Sequence, residues 1–215
     1  MNGGWWRVSG ESASAVHRRL AGTFGERVEG VRDWDVPTPV DGWVARDVVD
    51  HLVTWLPHFL DRGGVTLPPG PVVADDPVAA WAHHATAVQE LLDSPRADEE
   101  FTHPHVGTHV LADAVTTFYT PDVFMHTWDL ARATGQDDTL DPAFCEALLA
   151  GMTPIEQLLR DSGQYGPAVQ VPADARAQDR LIGFIGRDPS WVPGGRGRGQ
   201  RRPVVRPKSW RSTGE

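Results

Sequence analysis

The sequence predicts an all-α fold, a four-helix bundle with additional C-terminal helices. Apolar residues recur three or four positions apart through several long segments, which is the spacing of one helix face. Loops rich in Pro and Gly separate these segments, and no segment shows the sustained alternation of a half-buried strand. The chain has 215 residues, of which 40% are hydrophobic, so one large domain with a packed core is expected.

Three helices are predicted in the first half of the chain. The first begins at Ser12, and the second spans about residues 44–60 with a kink in its last turn at Pro57. The third begins with Asp76 as N-cap and Pro77 as first helical residue. Their apolar stripes are Val16, Leu20, Phe24, Val28 and Val31; Val44, Val48, Leu52, Trp55 and Phe59; and Val78, Trp81, Ala85, Val88 and Leu92.

Three more helices are predicted after a polar loop. The fourth spans about residues 109–134 and ends before Gly135, and Pro121 inside it must kink it or split it, with Thr120 capping the second half. The fifth begins at Pro142, and a short last helix follows an irregular segment. The stripes of these two are Phe144, Leu148, Met152, Ile155 and Leu158, and Leu181, Phe184 and Ile185.

Charge and composition divide the chain into a flexible leader (1–11), a helical domain (12–191) and a basic, disordered tail (192–215). The tail holds seven basic residues and one acid and carries +6, which leaves −15 on the remainder of a chain whose net charge is −9. An acidic body disfavours nucleic acid as a partner, because phosphate contacts need cations. Neither a signal peptide nor a membrane-spanning run is found, so we expect a cytoplasmic protein.

The residues that point to chemistry are His51, Asp122 and His126. Asp122 and His126 are four apart on one predicted helix, so both side chains share a face where one ion could bridge them. His51 is in register with the apolar face of the second helix and should point into the bundle. Two imidazoles and a carboxylate leave coordination positions open, as at a catalytic metal site. A surface ion pair and a core histidine bonded to a carbonyl are the alternatives.

Three motifs carry a resemblance to a known family. The run Pro-Thr-Pro-Val-Asp-Gly-Trp-Val-Ala-Arg-Asp-Val-Val-Asp-His-Leu, which contains His51, resembles the first metal-ligand helix of DinB-like proteins. Asp122-Val-Phe-Met-His126-Thr-Trp-Asp-Leu-Ala resembles that family's segment with the other two ligands. The ending Gly186-Arg-Asp-Pro-Ser-Trp191 is similar to an uncharacterised actinobacterial subfamily, within the branch related to mycothiol-dependent maleylpyruvate isomerase.

The resemblance implies a four-helix bundle that holds a divalent ion through His51, Asp122 and His126. Zinc is the first expectation, with nickel, manganese and iron as alternatives, and mycothiol is an implied cofactor. Two departures stand against direct transfer of the isomerase activity. Val40 stands where the subfamily often has Cys, and no residue is assigned to the substrate-binding arginine that the relatives carry in a further C-terminal domain.

The sequence leaves three functions open. The first is a metal-dependent enzyme that uses or acts on a small thiol, in thiol transfer or isomerisation, with a small thiol or electrophile as partner. A metal-dependent hydrolase would use the same ligands. The third is a non-catalytic metal-binding module or sensor, which the lack of a clear general base favours. Homodimer formation is also left open.

The remaining candidates have structural interpretations. His83 and His84 face different sides of the third helix, and one of them should be solvated. His103, His105 and His109 are expected in a polar loop, and Cys145 is expected to pack in the core. Asp129 and Arg132 could orient the ligands or simply pair on the helix surface. Trp43, Trp55 and Trp128 are expected in the core, although one of them could line a substrate cavity.

Overall fold

The fold is all-α, apart from one short hairpin. The structure, a computed structural model, describes residues 10–194. Its helices are α1 (Ala13–Glu29), α2 (Ala45–Asp61), α3 (Pro77–Asp93), α4 (Leu111–Ala114), α5 (Thr120–Thr134), α6 (Pro142–Met152), α7 (Glu156–Asp161) and α8 (Ala177–Phe184). Most of the predicted leader and of the predicted basic tail lies outside the described residues.

The three predicted N-terminal helices begin within one residue of their predicted starts, and the predicted N-cap Asp76 does cap the third. The Ser12 hydroxyl accepts from the Ala15 amide, and the Asp76 carboxylate accepts from the Ala79 amide. At the start of α2 the Asp47 carboxylate accepts from the Val44 amide at 2.8 Å. These bonds satisfy amide groups that have no partner inside the first helical turn.

The long helix that carries Asp122 and His126 is interrupted by a π-helical turn. α4 leads into this turn at Val115–Tyr119, and α5 continues directly from it. Pro121 cannot donate a hydrogen bond, and its ring would crowd the preceding carbonyl of a regular α-helix. The wider turn relieves this crowding. Thr120 therefore does not cap a separate helix, because its backbone is helical and its hydroxyl bonds Val115 O.

The predicted polar loop between the third and fourth helices is instead a β-hairpin. Strand β1 (Glu100–His103) pairs antiparallel with β2 (Gly107–Val110), and Phe101 and His103 on β1 are buried. The strands are too short for a sustained alternating pattern, which is why periodicity misses them. The buried side chains of β1 cover the end of α2, where His103 stacks on Phe59 with 4.5 Å between ring centroids.

Two apolar clusters lie on opposite sides of α5. The larger joins α1, α2, α3 and the hairpin, with Phe24, Leu52 and Leu56 fully buried. The smaller joins the opposite face of α1 and α5 to α6 and α8, around Trp128 and Leu148. α5 contacts both α1 and α2, and this contact brings His51 toward Asp122 and His126.

Two predicted apolar stripes are wrong in part. On α3, Val78 belongs to the predicted stripe but is 37% exposed. His84 lies outside that stripe but is buried, at 5% exposure. The fifth predicted helix ends at Met152, and a 3-10 turn at Thr153–Ile155 containing Pro154 separates it from α7. This break rotates the following residues, so Ile155 and Leu158 face solvent at 39% and 67% exposure.

Candidate metal centre

The structure brings His51, Asp122 and His126 together between α2 and α5. One ligand atom from each lies within 4.8 Å of the other two. His51 Nε2 is 2.8 Å from Asp122 Oδ2, and His126 Nε2 is 3.5 Å from Asp122 Oδ1. Neighbouring donor atoms around a tetrahedral zinc ion are about 3.3 Å apart. The three side chains therefore present a donor set of suitable size and chemistry for one divalent ion.

Asp122 is prepared to act as an anionic ligand. Burial alone would raise its pKa, but the charges of His126 and His51, with hydrogen bonds from His51 and Trp55, lower the pKa to about 2. Trp55 Nε1 donates to Asp122 Oδ2 at 2.9 Å. Trp55 follows His51 by one helical turn, so α2 contributes one ligand and one group that holds another ligand.

His126 is oriented from behind by Asp129. Its Nδ1 lies 2.9 Å from Asp129 Oδ2, and the Asp129 carboxylate is completely buried. Burial would raise the Asp129 pKa, but Arg187 and the His126 hydrogen bond lower it overall. A carboxylate can only accept, so His126 Nδ1 donates to Asp129, and Nε2 is the nitrogen that faces Asp122. This is the arrangement by which metal-binding proteins fix the tautomer of a histidine ligand.

Aromatic rings enclose the two histidines. Trp43, in the turn before α2, stacks on His126 at 5.7 Å between centroids with 15° between planes. The same ring lies 5.2 Å from His51. The His51 side chain is nevertheless 31% exposed and Asp122 is 22% exposed, so the centre is not sealed. A small molecule can thus approach the Asp122 carboxylate and the His51 imidazole from solvent, whereas His126 is buried at 4% exposure.

Of the other sequence candidates, Trp43, Trp55 and Asp129 join the centre and several others do not. Arg132 pairs with Asp138 at 2.8 Å rather than with any of the three predicted ligands. His84 bonds the Tyr119 hydroxyl at 2.9 Å inside the larger cluster. His103, by contrast with the expected polar loop, is buried at 4%.

Cys145 is completely buried in the smaller cluster, as predicted. Burial raises the pKa of its thiol to about 12. A thiol this basic and enclosed supplies no thiolate near neutral pH.

Arg187 is the residue that sequence reasoning missed. Its guanidinium reaches Asp129 from the segment after α8, with Nη2 to Oδ2 at 3.2 Å and Nε to Oδ1 at 3.4 Å. The two residues are 58 positions apart, so no helical spacing connects them. In the sequence, the position of Asp129 one turn after His126 is the one signal, and it fits either an orienting role or a surface ion pair.

Comparison with known proteins identifies relatives without an assigned activity. No family model matches the chain, and no solved structure matches it. Two proteins of Mycobacterium tuberculosis, Uncharacterized protein MT0763 of strain CDC 1551 and Uncharacterized protein Rv0738 of strain H37Rv, are each 28% identical over 176 residues. The alignments cover 80% of this chain and 96% of each relative. The likeness therefore spans nearly the whole of each relative.

Within residues 10–194, no helix combines the length and apolar character needed to cross a membrane.

Proposed function

We propose that this chain is a metal-dependent enzyme that uses or acts on a small thiol such as mycothiol, with one divalent ion held by His51, Asp122 and His126. The observation that carries the metal site is the convergence of these three donors, with His126 Nε2 facing Asp122 while Nδ1 bonds Asp129. Zinc suits a set of two imidazoles and one carboxylate, and three protein ligands leave a position open. The resemblance to the DinB-like branch supports a small thiol as the substrate or cofactor.

When bound, such an ion lowers the pKa of a coordinated thiol, so that thiolate is available near neutral pH. The chain's own groups prepare the site for this role. Trp55 fixes one oxygen of Asp122, and Asp129 fixes the His126 tautomer. The buried, basic thiol of Cys145 cannot serve as the reacting group, and it is the only cysteine in the sequence. The reacting thiol must therefore come from a separate small molecule.

Metal content tests the first part of the proposal. The purified chain should bind about one Zn²⁺ or Co²⁺, and His126→Ala should weaken that affinity by more than about 100-fold, because a substitution behind a ligand already costs about 10- to 100-fold. The matched control is His83→Ala, since His83 bonds Pro68 O away from the centre. Equal affinity in wild type and His126→Ala would show that the site is misassigned.

A thiol titration tests the second part. Mycothiol added to the cobalt-substituted chain should produce sulfur-to-cobalt charge-transfer absorption, because a thiolate then occupies the open position. A spectrum unchanged by thiols would reject the thiol-dependent enzyme. Turnover of an ester or amide would then favour a metal-dependent hydrolase, and no turnover would favour a non-catalytic metal-binding module or sensor.

A further inference from the structure

Two arginines anchor the segment after α8 onto α5. Arg187 bonds Asp129, and Arg132 on α5 bonds the Pro189 carbonyl as well as Asp138. Gly186 forms the turn between α8 and Arg187. Its φ is +86°, which favours glycine, and a Cβ there would lie 3.1 Å from backbone atoms of Gly166. The position of Arg187 is thus fixed by the chain path as well as by its own hydrogen bonds.

The contact between Arg187 and Asp129 is a fork that meets both carboxylate oxygens. Nε points to Oδ1 and Nη2 to Oδ2, while Nη1 donates to the Ile185 carbonyl at 3.1 Å. The Arg187 side chain is 14% exposed and Asp129 is 0% exposed. A forked contact defines the plane of a carboxylate as well as its position, which a single donor does not.

From this geometry we infer that Arg187 is a positioning residue for the metal centre and acts on His126 through Asp129. This inference rests on the proposed metal site. Asp129 Oδ2 accepts from both His126 Nδ1 and Arg187 Nη2, so the fork that fixes the carboxylate also fixes the His126 ring. The segment after α8 thereby becomes part of the site, although none of its residues belongs to the three-residue ligand set.

The reason for an arginine here is electrostatic as well as geometric. A fully buried carboxylate is costly unless it is paired and hydrogen-bonded. His126 contacts only Oδ2 of Asp129. Arg187 adds the contact to Oδ1 and supplies the positive charge that balances the carboxylate. Without Arg187 the carboxylate is free to rotate toward other donors, and the His126 ring loses the partner that aims Nε2 at the ion.

The test compares cobalt affinity in three variants of the full chain, measured by competition with a chromogenic chelator. Arg187→Gln should raise the Kd for Co²⁺ by about 10- to 100-fold, and Arg187→Lys should lose less because it keeps the charge but not the fork. Arg132→Gln is the matched control. It loosens the same segment but leaves the Asp129 contact intact, so its Kd should stay within about threefold of wild type.

A double-mutant comparison separates positioning from general loosening. If Arg187 acts through Asp129, Arg187→Gln should have little further effect on the Kd in an Asp129→Asn background. The inference would be overturned if Arg187→Gln raised the Kd for Co²⁺ as much in the Asp129→Asn background as in the wild-type background. It would also be overturned if Arg187→Gln and Arg132→Gln raised this Kd equally. A wild-type chain that takes up no cobalt would overturn the proposed function, whereas cobalt bound equally by wild type and Arg187→Gln would overturn only the role of Arg187.

Discussion

His84 should make the free energy of unfolding depend on pH in the mildly acidic range. Its ring is 5% exposed on α3, and its Nε2 bonds the Tyr119 hydroxyl at 2.9 Å. Burial, with repulsion from His17 and His83, lowers the pKa of His84 from 6.5 to about 3. Burial also lowers the pKa of His17, which adds to the effect in the same direction.

The sign follows from which state binds the proton. In the unfolded chain His84 takes up a proton as pH falls below about 6.5, whereas the folded protein resists protonation down to about pH 3. The contribution of His84 to stability is therefore fully present above pH 6.5 and is lost as pH falls through the window between these values. Between pH 7.5 and 5.5 the linkage relation gives a loss of about 1.4 kcal/mol from this residue.

Urea unfolding of the full chain at pH 7.5 and 5.5, with a chelator present at both, measures this loss. His84→Gln should reduce the difference between the two pH values by about 1.4 kcal/mol, whatever its stability at pH 7.5. Tyr119→Phe is the matched control, because it removes the hydrogen-bond partner and leaves the buried imidazole. It should be less stable than wild type at both pH values and keep the full pH dependence.

Two results would contradict this role of His84. One is a wild-type chain whose free energy of unfolding is the same at pH 7.5 and 5.5. The other is a His84→Gln variant whose loss on acidification equals that of wild type. Either result would mean that the His84 ring is hydrated or already protonated in the folded protein.

Two further predictions concern packing. Leu148→Ala should lower the free energy of unfolding by about 2–5 kcal/mol because Leu148 is 1% exposed, whereas Leu158→Ala at 67% exposure should change it by less than about 0.5 kcal/mol. Equal losses of the free energy of unfolding in the two variants would mean that Leu158 is buried, as the predicted apolar stripe of the fifth helix has it. Gly22→Ala in α1 should stabilise by about 0.5–1 kcal/mol, since nothing lies within 4 Å of its added Cβ. Gly25→Ala should stabilise less, because its Cβ would lie 3.2 Å from Trp81 Nε1, and a larger gain there would contradict the packing described for α1 and α3.

Local patterns in the sequence are sufficient to predict the all-α class, the starts of the first three helices and the face shared by Asp122 and His126. These features depend on interactions between residues within a few positions of each other. The N-cap at Asp76 satisfies amide groups of its own first turn, and the apolar repeat of each helix marks the face that is buried. The arrangement of the helices as a DinB-like bundle stays a prediction, as do the bound metal and the thiol.

Tertiary structure alone decided how the candidate centre is supported. Asp129 and Arg187 are far apart along the chain, and their contact depends on the turn at Gly186 and on the docking of the last segment against α5. The π-helical turn before Pro121 relieves steric crowding, and the short hairpin strand is buried by contacts with α2. The periodicity of apolar residues predicts neither feature. Side-chain spacing along a helix identifies neighbours on one element, whereas a buried ion pair between elements exists only where the whole chain path brings its two halves together.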